Sequence, residues 1–290
     1  MQAQTGQSTV NAQIIRAFTP FTLSAVMVVQ LDSRVPRQQG HLVLKLFDRR
    51  FAAGYRKQLF IDPWTPQIEA QHQKFISDGG ASHFLQKLRT DENFLDREGD
   101  TWTAAEDEAY IDHKIQSLYN AEKEVYQRAH KLQGRDIPRL LLDVALSSSS
   151  SCSFSPGFRC PGILLEFIPG FSLADMADHA PKDQWQYVGD EAIRILHAIA
   201  DLGVLNKDVQ RRSFIVRWDQ HIGRFRPVMI DFNLVVFREE VKSELEWRKR
   251  KADQDEEGAI GMVLQRKLYP DFVYRRSEEY EQLSREFRSE

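Results

Sequence analysis

Apolar, β-branched runs crowd the first 170 residues of this chain and helical stripes occupy most of the rest, and that segregation limits the fold more than any other feature. The runs "FTLSAVMVVQL" (21–31), "HLVLKLFD" (41–48), "IPRLLLDVALS" and "ILLEFIPG" (163–170) read as strands. Past the Pro-Gly bend that closes the last of them, "SLADMADH" reads as a short helix with Ser172 as its N-cap. A longer one follows in "KDQWQYVGDEAIRILHAIADLG", where Val188, Ala192, Ile195, Leu196 and Ile199 form one apolar stripe and Gly203 supplies a left-handed C-cap. Strands gathered ahead of helices imply an α+β chain. With 290 residues, 42% hydrophobic and 11% aromatic, it has the material for one large or two modest domains.

Between these runs the pattern varies. Residues 49–102 show weak periodicity broken by Pro63, Pro66 and "DGG", so they read as an insertion of loops and short helices. A long helix is expected from about 104 to 131, acidic in its first turns and basic at its end, with Glu122 and Tyr126 on one face at i,i+4 and Gly134 as a stop. The stretch "SSSSSCSFSPGFRCPG" (147–162) reads as a flexible loop at the tip of a hairpin, with a phosphorylation site as the other reading of its serines. The last fifty residues hold a charged segment, 238–256, open between long helix and link, then a helical "EEGAIGMVLQRKL" and an aromatic, polar tail.

Charge excludes some classes of function. A net charge of −3 with Lys and Arg spread along the chain is no electrostatic footprint for DNA or RNA. No apolar run reaches 18 residues, and the N-terminus lacks the basic start and apolar core of a signal peptide. The expectation is a soluble, cytoplasmic protein with neither a membrane nor a nucleic-acid partner. Cys152 and Cys160 have no zinc-spaced His or Cys nearby and are expected as free thiols.

The residues that suggest chemistry sit at four points. Lys45 is a charged residue flanked by apolar ones in "VLKL", either an edge-strand lysine or a functional one. Glu122 lies on the long helix, where a solvated Glu-Lys face is the alternative. In "NKDVQRRSFIV" (206–216) Asp208 stands five residues ahead of Ser213 and an apolar strand. Asp231 ends the strand "VMID" and opens "DFN" (231–233), which favours a buried or functional carboxylate over a turn cap.

Their order resembles that of the protein-kinase-like superfamily, which includes aminoglycoside phosphotransferases. "GVLNKDVQRRSFIV", "IPRLL" and "LLEFIPG" are more narrowly similar to the kinase-like proteins of filamentous fungi. The resemblance covers about residues 21–237, interrupted by the insertion. It implies a two-lobed fold: a β-rich N-lobe with a long helix over 1–167, and a short, mostly helical C-lobe over 168–290. It further implies ATP and Mg2+ as cofactors and a hydroxyl acceptor as substrate. Lys45 would hold nucleotide phosphates with Glu122 as its partner, and the backbone about Phe167 and Ile168 would receive adenine. Asp208 would be the catalytic base, and Asp231 with Ser213 would bind metal.

Five features depart from the family's pattern, of which Asn206 is neutral. Ser213 stands where the family has asparagine, Asn206 where it usually has histidine, and Asn233 where it has the glycine of "DFG", a place where Asn tolerates left-handed angles. No G-x-G-x-x-G occurs in the first hairpin, and no peptide-substrate platform is readable after "DFN". The expectation is therefore a phosphotransferase of impaired activity acting on a hydroxyl. The alternative is an inactive pseudokinase that binds or scaffolds a protein partner.

Overall fold

A computed structural model describes residues 10–32, 40–147 and 159–287. The turn at 33–39, most of the serine-rich loop and Cys152 lie outside the described residues. The chain is a mixed α+β protein and divides into two compact units. One holds Met1–Tyr119 and Leu141–Phe167, the other Asn120–Leu140 and Ile168–Glu290.

The first unit is built on a five-stranded sheet in the order β1-β2-β3-β5-β4, from β1 (Ala12–Ala17), β2 (Ala25–Leu31), β3 (Leu42–Leu46), β4 (Leu140–Ser147) and β5 (Arg159–Glu166). Ala25, Met27 and Val29 of β2 alternate onto one face with Leu42 and Leu164, and Leu44, Leu46 and Val144 pack on them. β3 is the middle strand, with Lys45 opposite Val26 on one side and Ile163 on the other. An edge-strand role for Lys45 is therefore removed, and the residue is only 5% exposed.

The insertion is more ordered than its weak periodicity suggests. It folds as α1 (Ala53–Gln58), α2 (Pro66–Ser77), α3 (Gly80–Thr90) and α4 (Phe94–Glu98). Phe84 and Phe94 join Ala109 and Tyr110 in a core of their own, with Trp102 against both phenyl rings. Buried charge ties these helices to α5 (Ala104–Arg128). Glu108 takes hydrogen bonds from both Arg49 and Arg56, and Arg49 also reaches Glu69 at 2.6 Å. The N-terminus of α5 is closed by Thr103 and Glu106, whose side chains each accept from the other's backbone N–H.

In the second unit, β6 (Phe171–Ser172) leads into α6 (Met176–His179) and then α7 (Trp185–Ala200). The Ser172 hydroxyl accepts from Ala174 N–H, as expected of a cap. Val188, Ala192, Ile195, Leu196 and Ile199 are all buried, and Gly203 holds φ +71°. Gly170 leaves no room for a side chain, because a Cβ there would stand 2.2 Å from the Val216 carbonyl oxygen. Then come β7 (Val204–Asn206), β8 (Phe214–Asp219), β9 (Arg224–Met229) and β10 (Val235–Phe237), followed by α8 (Glu244–Gln254), α9 (Glu256–Leu268) and α10 (Glu278–Phe287). The charged segment is thus largely helix α8, capped by Ser243.

Candidate functional site

Two ladders in the second unit hold the candidate site. β7 pairs antiparallel with β10, setting Asn206 opposite Val235, and β8 pairs with β9, setting Phe214 opposite Met229. The loop 207–213 runs from β7 to β8, and the segment 230–234 runs from β9 back to β10. Both therefore connect the same two ladders, one in each direction. Backbone bonds fasten them together at either end, Lys207 N–H to Leu234 O at 2.7 Å and Ile230 N–H to Ser213 O at 2.9 Å. Asp208 lies in the first connection and Asp231 in the second.

Asn206 ties the two connections together. It is buried, its side-chain Nδ2 donates to the Asp231 carbonyl at 2.8 Å, and its Oδ1 accepts from Asp208 N–H at 2.9 Å. Its own N–H donates to Glu256 Oε1 at 2.9 Å. One buried amide thus fixes both aspartate-bearing segments, a role open to Asn because it carries a donor and an acceptor on one short side chain. Phe232, fully buried, stands edge-on to Tyr126 with ring centroids 5.7 Å apart, which anchors the segment beyond Asp231. Asn233 is buried but does not adopt positive φ, so the left-handed turn expected there is not formed.

Within the loop, Gln210 Nε2 donates to Asp208 Oδ1, and Arg212 Nη2 stands 3.8 Å from Asp208 Oδ2. The Asp208 side chain is 38% exposed, so its carboxylate is oriented and still reachable from solution. The Ser213 hydroxyl accepts from Gln210 N–H at 3.2 Å and donates to the Asp208 carbonyl at 3.3 Å. Its hydrogen and one lone pair are thus used to close the loop on itself.

Glu256 and its neighbour Glu257 gave no signal in the sequence beyond a charged run. Burial pushes the Glu256 carboxyl up to about 8 against the pull of the Asn206 N–H, Lys251 and His197. Burial would raise Glu257 as well, but hydrogen bonds from His197, Ser277 and Tyr274 overcome it and hold the group down at about 2. The same bond from Glu257 raises His197, since the imidazolium is the form that the carboxylate favours. The N-terminus of α9 is thereby pinned on one side to β7 and on the other to α7 and the start of α10.

The remaining expected residues belong to the strands and the long helix. Lys45 is buried on β3 with its ammonium 5.8 Å from the Phe47 ring centre. Glu122 on α5 is 0% exposed, which rules out a solvated helix face. Phe167 closes the first unit, edge-on to His41, and Ile168, buried, opens the next stretch of the second. Among the described residues no group of three His, Cys, Asp or Glu side chains could hold a metal on protein atoms alone. Mg2+ needs fewer, since it is commonly bound by one or two carboxylates with waters and substrate phosphates.

No protein-family model matches the chain, and no curated protein sequence matches it. No helix among the described residues is long and apolar enough to cross a membrane.

Proposed function

We propose that the chain is a kinase-like protein that binds ATP with Mg2+ and transfers phosphate to a hydroxyl acceptor. The observation that carries the reading is the Asn206 bridge, which fixes the backbone of Asp208, whose side chain is 38% exposed, relative to the backbone of a second aspartate on the other connection. Phosphoryl transfer requires little covalent work from the protein. It requires positioning and charge neutralisation, which rigid carboxylates on opposed loops supply.

In this reading Asp231 carries Mg2+ and Asp208 accepts the proton of the acceptor hydroxyl. Lys45 holds the nucleotide phosphates, Glu122 supports it, and the backbone at Phe167 and Ile168 receives the base. Two facts support the assignments of Lys45 and Glu122. Lys45 is buried on β3, and Glu122 is buried on α5. The pseudokinase reading draws on Ser213, whose hydroxyl is engaged within its own loop.

Titration with a fluorescent ATP analogue separates the roles. Asp231→Asn is expected to lose the magnesium-dependent part of the affinity. Asp208→Asn is expected to keep it, while phosphate release to water falls by about 100-fold or more. Equal nucleotide affinity with and without magnesium in the unmodified protein would remove Asp231 from the metal role.

A further inference from the structure

Helix α9 is two-sided. Ile260, Leu264 and Leu268 are buried, and the opposite side carries Ala259, Met262, Val263 and Arg266. Together with Gln254 and Asp255 at the end of α8, that side lines an open groove of about 440 Å³. Its floor is apolar: Met262 is 46% exposed, and Ala259 and Val263 are half-buried. Met262 lays its methyl group over Gly258, where a Cβ would stand 2.7 Å from Met262 Cε. An unbranched thioether adapts readily to the shape of a side chain packed on it.

The charges of the groove are not balanced. Asp255 turns both carboxylate oxygens to Arg276, at 2.9 and 3.0 Å, and one of them also accepts from the Gly258 N–H at 3.1 Å. Arg266 is exposed, and its guanidinium makes no ion pair or hydrogen bond among the described residues. Lys267 beside it is exposed as well. At the other end, Gln254 Nε2 donates to the Lys207 carbonyl at 3.0 Å, which ties the groove to the loop 207–213. The groove therefore pairs an apolar floor with an unsatisfied cation, and its complement is an apolar group joined to an anion.

Spacing narrows that complement. Met262 and Arg266 lie four residues apart, about 6 Å along the helix. In an extended peptide, side chains two positions apart point the same way and stand about 6.5 Å apart, while those one or three apart point to opposite sides. A peptide laid along α9 thus meets both groups at once when its apolar and acidic residues are two positions apart.

We propose that this groove docks an extended segment of a protein partner, with an apolar side chain on Met262 and Ala259 and an Asp or Glu, two positions away, on Arg266. The inference goes beyond phosphate transfer and does not depend on a bound nucleotide.

The test is fluorescence anisotropy of the full chain, without nucleotide, against labelled peptides of serine and glycine that carry one phenylalanine and one glutamate at separations of one, two and three residues. The pair two apart should bind about fivefold more tightly than the others, as an exposed ion pair allows. Serine in place of its phenylalanine should weaken binding about tenfold through the apolar area lost. Arg266→Glu should reverse the charge preference, so that lysine in place of glutamate now binds better. The variant removes no internal bond, and an unchanged circular dichroism spectrum checks its fold. Equal binding at all separations, or none at millimolar peptide, would overturn the proposal. So would a dimer in sedimentation that Arg266→Glu abolishes, which would assign the groove to a second copy of the chain. Either result leaves the nucleotide reading standing, since no nucleotide takes part.

Discussion

Glu256 holds the backbone of Asn206 and carries a carboxyl that burial raises. Its carboxyl accepts from the Asn206 N–H while burial holds it near 8, with Lys251, His197 and Glu279 as the charged groups around it. A carboxyl raised above its ordinary 4.5 favours the folded state when protonated, so its contribution is present below pH 4.5 and is lost as pH climbs through 8. His197, raised by Glu257, acts in the same direction: its contribution is full below 6.5 and is lost as pH rises past its folded value. Glu257 acts at the other end, since a carboxyl lowered to about 2 contributes above 4.5 and ceases to as pH falls through that range. Stability of the second unit should therefore decline from pH 4.5 to 8 through Glu256, with His197 adding to the decline above 6.5. Glu256→Gln keeps an acceptor for the Asn206 N–H without a charge to bury. It should flatten most of that decline. Urea unfolding at four or five pH values reads this directly, and a decline unchanged by Glu256→Gln would assign it to other groups.

Among the elements, the insertion shows how buried charge can organise helices that hydrophobic pattern alone leaves obscure. Arg49 and Arg56 converge on Glu108, all three buried. Glu108→Leu would leave the buried Arg56 without its carboxylate and Arg49 with Glu69 and Asp112, and should cost about 3–5 kcal/mol, read as a lower unfolding midpoint. A loss below about 1 kcal/mol would mean that the pair is solvated in solution. Legibility in the sequence followed a similar divide. α7 and strands β2, β3 and β5 could be read because their apolar residues recur at the period of the element. β1 could not, since all six of its residues are exposed and its register shifts between Ile14 and Arg16. Helix α8 has no readable stripe because it buries only Trp247 and Lys251, although Ser243 and Glu246 stand at cap spacing. α10 is hidden in an aromatic, polar tail because it buries only Tyr280 and Leu283.

At the scale of the whole molecule, the fold class was legible from the order of strands and helices, and the contents of the loop from its local residues. The bracing was not. Asn206 and Glu256 are fifty residues apart, as are the partners of several other buried polar bonds, and single-sequence spacing carries no information about such pairs. Nor does spacing reveal that Lys45 occupies a middle strand, which depends on β5 returning to pair with β3 from beyond the long helix. Fold by itself does not supply an activity, so the functional account stands on the Asp208–Asn206–Asp231 constellation.

The most direct measurement is thermal unfolding of the full chain with saturating ATP, in the presence and absence of Mg2+, alongside Asp231→Ala. A ligand bound only by the folded protein stabilises it by about 2.7 kcal/mol at a hundredfold excess over Kd, a rise in Tm on the order of 5 °C. The account predicts such a rise with ATP and Mg2+ together and its loss in Asp231→Ala. An unshifted Tm at saturating nucleotide would contradict it and leave a fold kept for its surfaces.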